Sequence, residues 1–337
     1  MAALDFFCLL LAALIGFATH RASLCNVKAV AEILEFGRAR MLASLTVAVL
    51  WSMTVAGTMV LALHWPAASF PRRAPVLLAA TGGYVFGVGA AINGGCSLST
   101  LQRLADGELA MLVTLAGVVL GLLLWAKLET LGIPTALART TSPWQGMGLL
   151  PTILLVALWL WALQEAVRLW RRAQPVGWFD RLWAPKYRLS SAAALLGIVS
   201  GVLYMLQGSW TYTYLLRMQV ASALGMTPAM AGKAMLAIAL LGGMSASSVQ
   251  RRSFVLRLPR SGEVFACLFG GTLMGLGAAL LPGGNDTLLL TGLPSLSVFA
   301  LASYAALLAG IASTLLLLKR VRQVGAQNEK IPPRGFL

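Results

Sequence analysis

Along the chain, apolar residues gather into nine runs long enough to cross a bilayer as helices: 2–19, 42–64, 75–93, 108–131, 149–170, 190–207, 229–248, 263–281 and 295–318. A hydrocarbon core of roughly 30 Å takes about 20 such residues. Four further apolar stretches, 23–36, 96–105, 209–222 and 284–292, are too short to cross and begin with small or polar residues. At membrane depth, broken backbone of that kind is tolerated only where protein buries it or it lines a cavity. These stretches are therefore expected to be re-entrant half-helices. The predicted fold is an all-α polytopic membrane protein with about nine transmembrane helices and four half-helices.

Composition supports this reading. The chain has 337 residues, 58% of them hydrophobic and 11% charged, against about 25% charged in a soluble domain. That excludes a disordered chain, an ordinary nucleic-acid-binding domain and most soluble enzymes. The formal net charge of +15 comes from lysines and arginines that sit between the apolar runs. Arg168, Arg171, Arg172, Arg181, Lys186 and Arg188 follow the fifth run, Arg251, Arg252, Arg257 and Arg260 the seventh, and Lys319, Arg320, Arg322, Lys330 and Arg334 the ninth. Nine spans, with hairpins that return to their own side, place all three clusters on one face. By the positive-inside rule that face is cytoplasmic, so the N-terminus lies outside and the C-terminus inside. Arg72 and Arg73 fall on the opposite face. The first run lacks a basic n-region and carries Asp5 before its apolar stretch, so it reads as a span and not as a cleaved signal.

The chain also repeats itself. A shift of 188 residues aligns Gly82, Gly83, Gly87, Gly89, Ala90, Ala91 and Gly95 with Gly270, Gly271, Gly275, Gly277, Ala278, Ala279 and Gly283. Pro71-Arg72 aligns with Pro259-Arg260 in the same register. In the nine-span topology the first copy descends inward and the second outward, so the repeat is expected to be inverted. The chain then divides into a first repeat with the fifth span (1–170), a basic cytoplasmic linker (171–189), a second repeat (190–318) and a basic tail (319–337). In inverted-repeat transporters the cargo site lies near the midplane, where discontinuous helices meet. The free N–H groups and partial positive charge of a half-helix N-terminus suit an anion there.

The expected tips are Leu24-Cys25-Asn26, Gly94-Gly95-Cys96-Ser97, Gly208-Ser209-Trp210-Thr211 and Pro282-Gly283-Gly284-Asn285-Asp286. A thiol at the start of a helix has its pKa lowered. Cys25 and Cys96 can each donate an S–H hydrogen bond to an anion, pass sulfur covalently, or pack as small buried hydrophobes. Cys8 and Cys267 lie inside ordinary spans and are read as packing. Arg21 either attracts a dianion or anchors the first span at the headgroups. Lys233 is an ionisable group within a span, a ligand or relay candidate that can also snorkel to the interface. Asp286 either binds a proton or cation or caps its half-helix. His20 and His64 are the only histidines, and no CxxC pair occurs, so neither a zinc site nor a disulfide framework is expected. No phosphate-binding loop, catalytic triad or paired carboxylates occur, so no enzymatic activity or cofactor is expected.

Arg21-Ala22-Ser23-Leu24-Cys25 resembles the N-terminal motif of the YeeE/YedE family, and Gly94-Gly95-Cys96-Ser97 through Gly107-Glu108 resembles its central cysteine motif. Ser209-Trp210 is similar to the family's third tip and Gly283-Gly284-Asn285 to its fourth. The likeness covers almost the whole chain in order and spacing. It implies a bacterial inner-membrane protein with nine spans and four re-entrant helices in an inverted repeat. Its implied cargo is thiosulfate or a related sulfur compound, passed between thiols by S–H hydrogen bonds. Two of three implied cysteines carry over, as Cys25 and Cys96; Gly284 stands where the third would be.

The expected function is a permease for a small sulfur-containing anion, most readily thiosulfate, with Arg21, Cys25, Gly94, Gly95, Cys96, Ser97, Trp210, Lys233, Gly283, Gly284, Asn285 and Asp286 as candidate binding residues. Its expected partners are the anion and the bilayer, and not nucleic acid. The alternatives are a sulfur-transfer component that forms a persulfide on Cys96 for a cytoplasmic carrier protein, and a permease for an unrelated small solute.

Overall fold

The computed structural model describes residues 2–66, 70–72, 76–130, 138–140, 142–145, 148–171, 184, 186–225 and 231–329. Most of the basic linker and the last residues of the tail, with Arg172, Arg181, Lys330 and Arg334, lie outside the described residues. Helices dominate. In chain order they are α1 (Ala2–Ala22), α2 (Asn26–Phe36), α3 (Arg40–Leu61), α4 (Val76–Ile92), α5 (Ser97–Ala105), α6 (Ala110–Thr130) and α7 (Leu149–Arg171), followed by α8 (Leu189–Gln207), α9 (Tyr212–Ala223), α10 (Ala231–Arg251), α11 (Ser261–Leu280), α12 (Asn285–Thr287, continued by a π-helical turn at Leu288–Gly292) and α13 (Val298–Glu329). A short antiparallel ribbon joins Phe70–Arg72 to Ala138–Thr140.

Nine long helices match the nine apolar runs, and eight stretches among the described residues are long and apolar enough to cross a membrane. The ninth helix, α10, is not among the eight; it carries Lys233, Ser245, Ser247, Ser248, Gln250 and Arg251. All four short stretches are broken helices. Each break holds one residue in the left-handed region: Ser23 (φ 51°), Gly94 (71°), Gly208 (69°) and Gly283 (137°). At Gly283 a Cβ would also stand 2.1 Å from Thr287 Oγ1, so this break admits no larger residue.

Packing follows the sequence repeat. With α1–α6 set against α8–α13, α1 packs on α10 as α8 packs on α3, and α4 packs on α13 as α11 packs on α6. The minor contacts obey the same exchange, α2 with α13 and α9 with α6. Helices α4 and α11 also pack on each other through glycines. A Cβ on Gly89 would stand 2.5 Å from Gly270 O, and one on Gly277 would stand 2.6 Å from Gly82 O. Under the 188-residue shift these two contacts exchange places, as they must where one surface meets its own copy across a two-fold axis. Gly83 and Gly87 seat against Ser303 O and Leu307 O of α13; their counterparts Gly271 and Gly275 seat against Thr114 O and Val118 O of α6. Small residues let helix backbones approach where no hydrophobic effect drives them together. Helix α7 stands outside this scheme and packs on α3, with Trp161 edge-on to Trp51 at 5.8 Å between ring centroids.

One end of the bundle is tied by a polar cluster. His20, at the end of α1, lies 3.0 Å from Ser247 Oγ through Nδ1 and donates from Nε2 to Asp106 Oδ1 at 3.1 Å. Ser248 and Ser253 donate to the same oxygen at 2.7 and 2.5 Å. Asp106 sits in the loop from α5 to α6, with its carboxylate one-third exposed. Burial alone would raise its pKa, but the hydrogen bonds from His20, Ser253 and Ser248 outweigh it and hold the group at about 2, below its ordinary 3.8. A depressed carboxylate adds stability above its ordinary pKa and loses it as pH falls through the folded-state value.

Gly89→Ala is expected to lower the melting temperature in detergent, because overpacking costs about 1–3 kcal/mol. Gly242→Ala meets nothing within 4 Å and is expected not to lower it, since alanine is the better helix former. Asp106→Asn is expected to melt below wild type at neutral pH, with the gap closing between about pH 4 and pH 2. Thermal unfolding across that range measures it.

Candidate functional site

The four broken helices aim their N-termini at one another. Their N-caps are Cys25 for α2, Cys96 for α5, Thr211 for α9 and Gly284 for α12. No cap residue turns its own side chain onto its helix, so those side chains and the first-turn N–H groups are left for neighbours across the break.

Tips one and two meet through sulfur. Cys25 Sγ donates to Ser99 Oγ at 3.3 Å, in the first turn of α5, and the two thiols are near neighbours. The backbone N–H groups of Cys96 and Lys28 lie near the Cys25 sulfur, and those of Asn26 and Ser99 near the Cys96 sulfur. Both cysteines are 1% exposed. Gln102 Nε2 completes the seam by donating to Leu24 O at 3.3 Å.

Tips three and four meet through oxygen. Thr213 donates to Asp286 from Oγ1 and, at 3.3 Å, from its backbone N–H. Gly284 N–H donates to Thr213 Oγ1 at 2.7 Å. Thr287 Oγ1 lies 2.6 Å from Thr211 Oγ1 and 3.0 Å from Thr213 Oγ1. Ser97 joins the two seams. Its backbone N–H and its hydroxyl donate to Asn285 Oδ1 at 3.1 and 2.5 Å, and the same hydroxyl lies 3.2 Å from Asp286 Oδ1. Residues 97 and 285 are equivalent under the repeat shift, so the tips touch through matching positions. Tyr212 donates to Ser97 O at 2.8 Å and Tyr304 to Asn26 Oδ1 at 2.9 Å.

Four buried donors at these tips have no partner: Asn26 Nδ2, Ser209 Oγ, Trp210 Nε1 and Asn285 Nδ2. Buried polar groups are nearly always hydrogen-bonded, and each exception calls for an explanation. All four are N–H or O–H groups, they come from three of the four tips, and an acceptor-rich anion would satisfy them.

The structure brings together Cys25, Gly95, Cys96, Ser97, Gly283, Gly284, Asn285 and Asp286, with Trp210 one residue before the Thr211 cap. Two expected site residues stand elsewhere. Arg21 donates to Ala184 O and Gln250 Oε1 and lies 4.4 Å above the Phe17 ring. Lys233 Nζ donates to Gln207 O at 2.6 Å, at the C-terminal end of α8, where a cation suits the helix dipole. The chain carries further tip residues whose roles the linear pattern does not reveal. Ser99, Tyr212, Thr213 and Thr287 lie within the first turns of the half-helices, and a polar residue there, in an otherwise apolar stretch, was the available signal. Tyr304 comes from a distant span and gave none.

Gly284 is closed to a larger side chain. A Cβ there would stand 2.9 Å from Phe86 Cε2 and Cζ and 3.0 Å from Thr213 Cγ2. The aromatic ring fills the space that a thiol in this position would need. Gly284→Cys is therefore expected to destabilise the protein by about 1–3 kcal/mol. The penalty should shrink in a Phe86→Leu background, the two sites being in contact. A double-mutant cycle read by thermal unfolding measures the coupling.

No curated protein matches the chain. The sulphur transport family matches residues 21–313, a span that begins at Arg21, takes in all four tips and ends within α13. With its broken helices, its long apolar helices and its paired thiols, the chain belongs to the sulphur transport family, of the YeeE/YedE kind, and is a multi-pass membrane protein of sulfur transport.

Proposed function

We propose that this protein is a permease for thiosulfate in the inner membrane of a bacterium, with its N-terminus outside, its C-terminus in the cytoplasm and its two repeats inverted across the bilayer. The observation that carries the reading is the pair of buried thiols that cap neighbouring helix starts, joined through the Cys25–Ser99 hydrogen bond, beside four buried donors that lack acceptors. Thiosulfate has two chemically different ends. Its terminal sulfur is a soft acceptor suited to the S–H groups of Cys25 and Cys96, and its sulfonate oxygens are suited to N–H and O–H donors. The amide of Asn26 lies on the thiol side of the site, and Ser209, Trp210 and Asn285 supply the other donors.

Passage works by exchange of hydrogen bonds. An anion leaving one thiol for the other gives up one donor as it gains the next, so no single site holds it too tightly to leave. Both thiols are buried, which favours such passage over persulfide exchange with a soluble carrier protein, whose own cysteine would have to reach the sulfur. With Gly284 in place of a third thiol, the sulfur path is two donors long. Beyond it the anion meets the hydroxyl-lined seam of Thr211, Thr213 and Thr287.

A hydrogen bond to a charged group contributes about 1.5–3 kcal/mol, so removing one should reduce transport roughly ten- to a hundredfold. Proteoliposomes loaded by uptake of labelled thiosulfate are expected to show that loss for Cys25→Ala and for Cys96→Ala. Trp210→Phe, which removes the indole N–H and keeps the ring, should raise KM. Sulfate, which has no terminal sulfur, should compete poorly. Cys96→Ala transporting at the wild-type rate, or sulfate entering as fast as thiosulfate, would overturn the reading.

A further inference from the structure

We infer that Asp286 is a proton site and that the anion crosses this protein together with a proton held there; the inference rests on the anion permease proposed above. Asp286 is 1% exposed. Among the described residues no ion pair reaches it. A buried carboxylate without a cation is costly and is relieved by protonation.

The hydrogen positions available around it fit the acid form. Ser97 has a single hydroxyl hydrogen, and its 2.5 Å contact with Asn285 Oδ1 takes it. The 3.2 Å contact between Ser97 Oγ and Asp286 Oδ1 then has no hydrogen unless Asp286 supplies one. The other neighbour of Oδ1 is the Thr213 hydroxyl, which can also accept. Hydroxyls accept either protonation state of a carboxyl group, whereas an arginine or lysine would commit it to the anion.

The same hydroxyls form a chain. Thr211, Thr287 and Thr213 lead by contacts of 2.6 and 3.0 Å to Asp286, and the hydroxyl of Ser97, the residue after the Cys96 cap, lies 3.2 Å beyond it. A proton can pass along such a chain by rotation of hydroxyls, entering from water on one side and leaving to water on the other. The step is a proton transfer and no more: the carboxylate gains an O–H bond when the anion arrives and loses it when the anion leaves. An anion beside Cys96 favours the neutral acid at Asp286, and the neutral acid favours the anion by the same factor.

The titratable groups facing this position from the elements packed on α12 are few. They are Cys96 at the start of α5, Tyr212 on α9, Tyr204 on α8 and Tyr304 on α13; α3 contributes none. Arg217, one turn beyond Thr213 on α9, lines a pocket with Trp125 and Glu129 of α6.

The test uses the full-length protein in proteoliposomes containing a pH-sensitive dye, with membrane potential clamped by potassium and valinomycin. Thiosulfate added outside is expected to acidify the lumen as it enters. At equilibrium its accumulation is expected to rise about tenfold per unit of imposed pH difference, as one coupled proton requires. Asp286→Asn, which mimics the neutral acid and cannot release a proton, should accumulate thiosulfate to a level independent of the pH difference. Ser97→Ala should slow proton entry. Thiosulfate uptake by wild type without proton movement overturns this inference and leaves the permease standing, as does an Asp286→Asn protein that still follows the pH difference. Absence of thiosulfate uptake by wild type under every gradient overturns the permease reading itself. Should Asp286→Asn fail to fold, the wild-type ratio of protons to anions decides alone.

Discussion

A helix that begins inside a membrane protein exposes backbone N–H groups that no lipid can satisfy. Everything at the centre of this molecule answers that constraint. The four starts are turned toward one another, and donors from one tip find acceptors on the next: Ser97 N–H on Asn285, Gly284 N–H on Thr213, Gln102 on Leu24 O. This arrangement is possible only because the spans around it come very close. The glycines of α4 and α11 bring two backbones within a few ångströms, and that approach places the tip of α5 against the tip of α12. Gly82, Gly89, Gly270 and Gly277 thus set the distance at which the chemistry occurs.

The two halves share an outline and differ in content. Where the first half caps its breaks with Cys25 and Cys96, the second uses Thr211 and Gly284. One seam is soft and thiol-lined, the other hard and hydroxyl-lined, and the Ser97–Asn285 contact joins them. Glycine in the fourth tip leaves no hole, because the Phe86 ring occupies the space a side chain would take.

Much of this was legible in the chain. The nine apolar runs became nine long helices, with ends moved by a few residues except the last, which runs on to Glu329, and all four short stretches became broken helices, because length against bilayer thickness is a strong constraint. The glycine register announced the packing of α4 on α11, since only close approach requires that spacing. The site was legible in part. Position at a helix start marked Cys25 and Cys96. Nothing linear marks Tyr304, which reaches Asn26 from 278 residues away. Lys233 shows the converse: an intramembrane cation invites a ligand role, yet its ammonium lies on the last carbonyl of α8, an interaction that only the packed helices reveal. Of the fifteen basic residues on which the orientation rests, four, Arg172, Arg181, Lys330 and Arg334, lie outside the described residues.

Helix α7 touches little besides α3, and most of its surface faces outward, with Trp170 84% exposed. Its importance is one of parity. Each half contains four long helices, an even number, so two halves joined directly would start at the same end of the bundle and lie parallel. One additional crossing reverses the second copy. The antiparallel meeting of Gly82 with Gly277 and of Gly89 with Gly270 requires that reversal. A solitary, loosely packed helix therefore sets the relative direction of the two halves through counting alone.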